Sequence, residues 1–375
     1  MNFELSDEQR LLQDSVARFV QDNYELENRI KLVATSQGFS SELWTTIAEL
    51  GWLALPFDEA DGGFGGSPIE IMVIMEQLGK GLVLEPFFAN VVLGGGVLKR
   101  AANAQQKAEL LPAFIEGTRQ LTLAYAEEQA RFDLHDVTTT ARADGDAFVI
   151  NGHKSMVANA ATATQLIVST RTSGGQVDEN GISLFLVDAD ADGVSLENFP
   201  TVDGLRASEV TFTDVRIDAK NLLGELDQGF VTLNAVANDA ILALCAEAVG
   251  AMEVLYKDTV TYTQEREQFG HPLAEFQVLQ HRMVEMFMEY EQCKSLLYRA
   301  TLEAAQGDSA TAQRSVHALK HLVGKTGILI GENAVQTHGG MGMTEELKIG
   351  HYFKRLLIID AQFGNADFHL QKFAA

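Results

Sequence analysis

The stretch SEVTFTDVRI, residues 208–217, sets apolar side chains at Val210, Phe212, Val215 and Ile217 among polar ones. Side chains along a strand point to alternate faces, so the pattern predicts a strand with one buried face. Its neighbours read the same way. QLIVSTR (165–171) and GISLFLVDA (181–189) are short apolar runs bounded by turn residues, and AFVINGHKSMV (147–157) carries Asn151-Gly152 between apolar runs, which predicts a hairpin turn there. Residues 121–225 therefore read as an all-β segment.

Outward from it the period changes. Upstream, Ser6 precedes Gln9 by three residues, the spacing of a capping box, and Leu11, Leu12, Val16, Phe19 and Val20 follow at helical intervals. ELWTTIAELGWLALP (42–56) reads as a helix ended by Gly51 and Pro56. The glycine clusters DGGFGGSP (61–68) and LGGGVL (93–98) lack the lysine and hydroxyl of a phosphate loop and read as turns and close helix packing. Downstream, residues 239–266 and 275–306 form two long helical patterns without proline, and Met283, Met286 and Met288 read as core filler. The expected domains are 1–120 (helical), 121–227 (β) and 228–375 (helical).

Composition narrows the function. The chain carries 28 Lys and Arg against 52 Asp and Glu, a net charge of −24. Such a surface repels phosphate backbones and anionic lipid, which argues against nucleic-acid and membrane-surface binding. Cys245 and Cys293 are far apart in helical patterns and suggest neither a disulfide framework nor a metal site. His271, His281, His338, His351 and His369 are scattered without ligand spacing, so no metal is expected. The acidic start MNFELSDEQR has no signal-peptide core, and no run of 18 apolar residues stands out. A cytoplasmic enzyme or enzyme subunit without a membrane span is the expectation. The stretch HYFKRLLI (351–358), with Lys354 and Arg355 beside aromatic residues, reads as a solvated helix face or a subunit contact.

Three stretches carry a resemblance. REQFGHPLAEFQVLQHRM (266–283) resembles the flavin-adenine segment of acyl-CoA dehydrogenases, and QTHGGMGMTEE (336–346) resembles their Gln-x-x-Gly-Gly-x-Gly segment. DGLRASEVTFTDVRI (203–217), running to LLGE (222–225), resembles the end of their β-domain. Within the family the chain looks closest to the small subunit of pimeloyl-CoA dehydrogenase and related subunits of two-component enzymes. The resemblance implies an N-terminal α-helical domain, a β-barrel-like middle domain and a C-terminal four-helix bundle. It also implies FAD and α,β-desaturation of an acyl-CoA thioester, a reaction of lipid metabolism, with electron-transfer flavoprotein as a possible acceptor. In that chemistry a carboxylate removes the Cα proton, so its position is a strict test.

Both base positions of the family are empty. Its Tyr-Glu-Gly-Thr segment falls on Gln362 to Asn365, which puts Phe363 at the glutamate. The alternative site, 26 residues before Arg266, is Ala240. Asp239 is adjacent, but one helical residue is a turn of about 100° away, so it should point off the required face. Related losses follow from the resemblance. AYAEEQARFDL (124–134) replaces Thr-Glu-Pro-Gly-Ala-Gly-Ser-Asp, leaving Ala126 for the flavin-bonding Thr and Phe132 for the Ser that meets coenzyme A. Met156 and Ala158 replace the flavin-stacking Trp and a Thr, and Ile241 replaces an Arg. Asn365, Ala366, Asp367, Phe368 and His369 replace the run lining the ribityl chain.

What is kept is the half that family members donate to a neighbour's FAD: Arg266, Gln268, Phe269, Phe276, Gln277, Gln336, Gly339 and Gly340. The resemblance thus implies a base-less subunit that completes the FAD site of a catalytic acyl-CoA dehydrogenase subunit in an α2β2 heterotetramer, with the substrate mainly in the partner's pocket. Two alternatives stay open. One is an active homomer using Asp239 or a reaction without a Cα base, such as desulfination. The other is a non-enzymatic assembly protein without FAD.

Overall fold

A computed structural model describes residues 4–307 and 309–375, so Met1–Phe3 of the acidic N-terminal stretch lie outside the described residues. In chain order the helices before the sheet are α1 (Asp7–Asn23), α2 (Leu26–Val33), α3 (Ser41–Glu49), α4 (Pro68–Gly81), α5 (Gly96–Ala101) and α6 (Ala104–Ile115). The strands are β1 (Leu121–Ala124), β2 (Thr140–Asp144), β3 (Ala147–Ala158), β4 (Gln165–Arg171), β5 (Ile182–Asp188), β6 (Val194–Pro200), β7 (Arg206–Asp218) and β8 (Leu222–Leu223). Then come α7 (Gly229–Glu265), a ribbon of β9 (Glu267–Gln268) and β10 (His271–Pro272), α8 (Gln277–Ala305), α9 (Ala310–His338), α10 (Lys348–Ala361) and α11 (Ala366–Ala374). Two compact units result: one from the residues up to Lys31, Ser67–Val83 and Ile241–Ala375, the other from Leu32–Gly66 and Leu84–Ala240.

The second unit holds the sheet, with strand order β6-β7-β3-β2-β4-β5-β8 and β1 parallel to β4. Its core contains Ile150, Leu166, Val168, Phe185, Val187, Val210, Phe212 and Val215. Phe212 and Val215 are three residues apart, yet both are buried. A bulge reconciles them: the pairing of β3 with β7 slips between Ile150 and Gly152, opposite Asp214 at φ 50. Asn151 locks the bulge, donating from Nδ2 to Asp214 Oδ1 at 3.0 Å and accepting the Asp214 N–H at 2.9 Å.

That bulge overturns the expected hairpin. Asn151-Gly152 lies inside the continuous strand β3, and the chain reverses between Asp144 and Ala147, where Gly145 has φ 62. Gly152 is there because a Cβ would stand 2.6 Å from the Thr139 Cα, so it answers a close approach and not a turn.

In the first unit, α4 and α7 cross nearly backbone to backbone. A Cβ on Gly79 would lie 2.1 Å from the Glu247 carbonyl oxygen, and one on Gly250 would lie 1.9 Å from that of Glu76. The capping box at the start of α1 forms, with the Ser6 side chain accepting the Gln9 N–H and the Gln9 side chain accepting the Ser6 N–H. Residues 61–68 form a turn leading to α4. The cluster at 93–98 is helical throughout: Phe88–Gly95 forms a π-helical stretch running into α5, with Gly94 pressed on Leu121.

Two further readings change. Met286 is core, Met283 is half-buried and Met288 is 55% exposed, because α8 turns Met288 to its outer face. In α10, His351, Tyr352 and Arg355 are buried, and Arg355 makes a two-point ion pair with Glu247 at 2.6 and 2.7 Å. A charge reads as solvated until its long-range partner is known. By length and composition α7 alone among the described helices could cross a bilayer, but 61% of its apolar window is buried inside the protein.

Candidate functional site

The residues singled out from the sequence fall into four places. The first is the turn after α10. Gln362 leaves the helix at φ −77, ψ 134, Phe363 adopts φ 55 and Gly364 φ 108. Asn365 then caps α11, accepting the Phe368 N–H at 3.0 Å. Phe363 is only 8% exposed. The turn is held by two side chains: Lys320, which sequence reasoning missed, and His369, which it named without this role. Lys320, wholly buried on α9, donates to the carbonyls of Ile359, Asp360 and Gly364 at 2.9, 2.8 and 2.7 Å. The Ile359 and Asp360 carbonyls are orphan acceptors at the end of α10, and one ammonium satisfies them together with the Gly364 carbonyl of the turn. His369 Nε2 lies 3.0 Å from the Phe363 carbonyl, so Nε2 carries the proton. Its Nδ1 then accepts from His317 Nδ1, 2.9 Å away. Burial pushes the His369 pKa down to about 3, with Lys320, His317 and Lys372 acting in the same direction. No carboxylate stands at position 363, and an apolar ring is packed in its place.

The second place is the start of α7. Ala240 and Ile241 are buried. Asp239 is about one-third exposed and accepts from Arg100 Nη2 at 2.5 Å, while Arg100 also reaches the Gly96 carbonyl at 3.3 Å. A carboxylate already bound to a guanidinium is a poor proton acceptor, because the pair stabilises its ionised form.

The third place gathers Arg266, Gln268, Phe269, Phe276, Gln277, Gln336, Gly339 and Gly340, all in the first unit. Arg266 directly follows α7, and its guanidinium meets no carboxylate among the described residues, although Glu265 and Glu267 flank it. The chain folds back through the short ribbon, and the Leu273 N–H donates to the Arg266 carbonyl at 2.8 Å. Phe269 projects at the tip, 89% exposed, its ring edge-on to Phe276 at 6.2 Å. Helix α8 starts there with no side-chain cap and no acid in its first turn. Gly339 ends α9 with φ 62, and a Cβ on Gly339 or Gly340 would meet nothing within 4 Å. Arg266, Gln268, Gln277, Gln336, Gly339 and Gly340 are all exposed and Phe276 is half-buried. The segments are joined by a contact no motif announced: the Tyr262 ring stacks on His338 at 4.2 Å and 28°. Its only sequence signal is spacing, since Tyr262 lies one helical turn before Arg266 and His338 adjoins Gly339.

In the sheet, the loop after β1 is anchored by a buried pair. Lys154 Nζ donates to Glu127 Oε1 at 2.7 Å and to Ser169 Oγ at 3.0 Å, and Glu127 also accepts the N–H groups of Thr138 and Thr139. Burial raises the Glu127 pKa, but Lys154 and Thr138 outweigh it and hold the carboxyl below its ordinary range. Along this loop Ala126 and Phe132 are half-buried, and Met156 is 52% exposed at φ 52. Arg131 has φ 50, a conformation suited to glycine.

Comparison with known proteins places this architecture. Domain models match in series: acyl-CoA dehydrogenase, N-terminal domain, over residues 6–118; middle domain over 122–215; C-terminal domain over 227–375. The "Probable acyl-CoA dehydrogenase YngJ" of Bacillus subtilis is 28% identical over 98% of this chain and 97% of its own. Among solved structures, a Tcur3481–Tcur3483 steroid ACAD superposes with TM-score 0.87 at 28% identity, covering 98% of this chain and 97% of that one. The FAD complex of PigA gives TM-score 0.91 at 26% identity, covering 100% and 98%. Three successive domain models, the order helix, sheet, helix, and full-length superposition lead to one assignment: the chain belongs to the acyl-CoA dehydrogenase family, whose cofactor is FAD.

Proposed function

We propose that this chain is the base-less subunit of a two-component acyl-CoA dehydrogenase and that it completes the FAD site of a glutamate-bearing catalytic partner. The observation that carries the reading is Phe363, packed and 8% exposed where the family's base would stand. The pairing of Asp239 with Arg100 supports it by engaging the nearest carboxylate to the alternative site. The Tcur3481–Tcur3483 steroid ACAD, whose name joins two designations, supports a partner subunit.

The exposed surface fits the nucleotide half of FAD. Arg266 supplies a cation without a competing carboxylate, and the open space over Gly339 and Gly340 leaves room for a pyrophosphate to approach the backbone there, where the Gly339 N–H is already donated to the Gln336 carbonyl. The uncapped N-terminus of α8 favours negative charge as well. Phe269 would pack on the adenosine, with Gln268, Phe276, Gln277 and Gln336 around it. When bound, FAD accepts the hydride from the acyl Cβ. This chain holds and orients; the partner removes the Cα proton and houses the thioester. An α2β2 assembly with two FAD follows, with domains at 1–120, 121–227 and 228–375 and a cytoplasmic setting with electron-transfer flavoprotein as acceptor.

The test is co-expression with a glutamate-bearing paralogue. A yellow complex with one FAD per pair of chains is expected, and a colourless, inactive chain when purified alone. Full flavin occupancy with turnover in the lone chain would remove the proposal.

A further inference from the structure

We infer that the Tyr262–His338 ring stack is the positioning element of this nucleotide surface, fixing the Arg266 cation relative to the Gly339–Gly340 backbone. The inference rests on the reading above and says how that surface keeps its geometry.

The two halves of the surface come from chain segments about 70 residues apart, at the end of α7 and the end of α9. A pyrophosphate gripped by both requires them to be held within a fraction of an ångström, which packing behind the contact residues must supply. On one side the Arg266 N–H donates to the Tyr262 carbonyl at 2.8 Å, so Tyr262 sits in the last turn carrying Arg266. On the other, His338 immediately precedes Gly339. The rings lie face to face at 4.2 Å and 28°, a stacked arrangement.

The histidine itself is fixed. It is 5% exposed, and its Nδ1 lies 2.8 Å from the Ala334 carbonyl, one turn back on α9. A carbonyl only accepts, so Nδ1 carries the proton and the ring plane is set by its own helix. Burial lowers its pKa, in keeping with a neutral ring. Tyr262 therefore rests on a platform that cannot rotate freely, and the rigid turn to Arg266 follows it. Neither ring is assigned to the ligand: Tyr262 and His338 act through Arg266 and Gly339.

The experiment uses ADP as probe for the full chain alone, and FAD for the chain co-purified with its glutamate-bearing partner. Tyr262→Leu should weaken ADP binding about tenfold or more, because flat stacking is lost while an apolar side chain is kept. Tyr262→Phe should restore binding to within about twofold. Arg266→Ala should lose at least as much as Tyr262→Leu. The double variant should be no weaker than Arg266→Ala alone, since a group acting through the arginine has nothing left to position. Melting temperatures of all four report folding separately, and a purely structural role would lower them without this non-additive binding.

Wild-type affinity in folded Tyr262→Leu, with binding lost in Arg266→Ala, would overturn the inference and leave the proposed function standing. Wild-type affinity in Arg266→Ala, or no binding of ADP and of FAD by the wild-type proteins, would overturn the proposed function itself.

Discussion

Two regions of the same helical unit treat their polar groups in opposite ways. Around Arg266 and Gly339 the backbone and side chains stand open: Phe269 is 89% exposed, and the guanidinium has no ionic partner among the described residues. Around Phe363 everything is closed, with three carbonyls on one buried ammonium and a fourth on a buried imidazole. Exposed polar groups keep their water until a ligand displaces it, whereas buried ones must be satisfied within the chain. The first region is therefore open to a ligand, and the second is closed on itself.

The contrast breaks most visibly at Lys320. Lys320→Met keeps volume but leaves three buried acceptors unpaired, each worth about 1–3 kcal/mol when orphaned. A net loss of about 3 kcal/mol in urea unfolding is expected, since removing a buried charge offsets part of the cost. A change under about 1 kcal/mol would mean water reaches this turn and the closed description is wrong.

Phe363→Glu asks whether the closed region can be reopened. A carboxyl in this setting should cost about 2 kcal/mol and produce no turnover in the lone chain. On the proposed reading Ala126, Phe132 and Met156 take the place of polar or stacking groups, so a base alone is not expected to rebuild the site. Desaturation of an acyl-CoA by the lone variant would show that the lost carboxylate was the whole difference.

His369 gives a pH signature of the same closure. Its folded pKa, about 3, lies below the ordinary value of about 6.5, so the fold favours the neutral ring. The associated stability is fully present above pH 6.5 and is lost as pH falls toward 3. Between pH 6.5 and 5 that amounts to about 2 kcal/mol. In His369→Gln the pH slope of the urea midpoint should lose about one proton over that range. An unchanged slope would place the titration on other groups.

How much of this was legible follows from the length scale of each feature. The order helix, sheet, helix, the Ser6 box and the glycine end of α9 depend on neighbours within a few residues, and the sequence carries them locally. Asn151-Gly152 has the composition of a turn, yet Gly152 answers to Thr139 and Asn151 to Asp214, partners 13 and 63 residues away. Lys320 and Arg355 look like surface charges because nothing nearby shows that Gly364 or Glu247 will cover them. The Tyr262–His338 stack joins His338, inside one motif, to Tyr262, outside both, and nothing local to either shows the pairing. Both the open and closed regions lay at quoted motifs; the contacts that hold each in shape were not visible there.

The smallest effect sharpens the comparison furthest, because it separates the two chemical readings. Asp239 and Arg100 are each about one-third exposed, and water screens such a pair. Asp239→Asn should cost no more than about 0.5 kcal/mol. If the partner supplies the base, desaturation by the complex should stay within about twofold of wild type, because less than 0.5 kcal/mol of barrier is at stake. If Asp239 were the base of a homomer, the same change would abolish turnover. For that to happen Arg100 would have to release a carboxylate it now holds at 2.5 Å, and the rate should then rise in Arg100→Met. A flat response to both substitutions is what a chain without its own base gives.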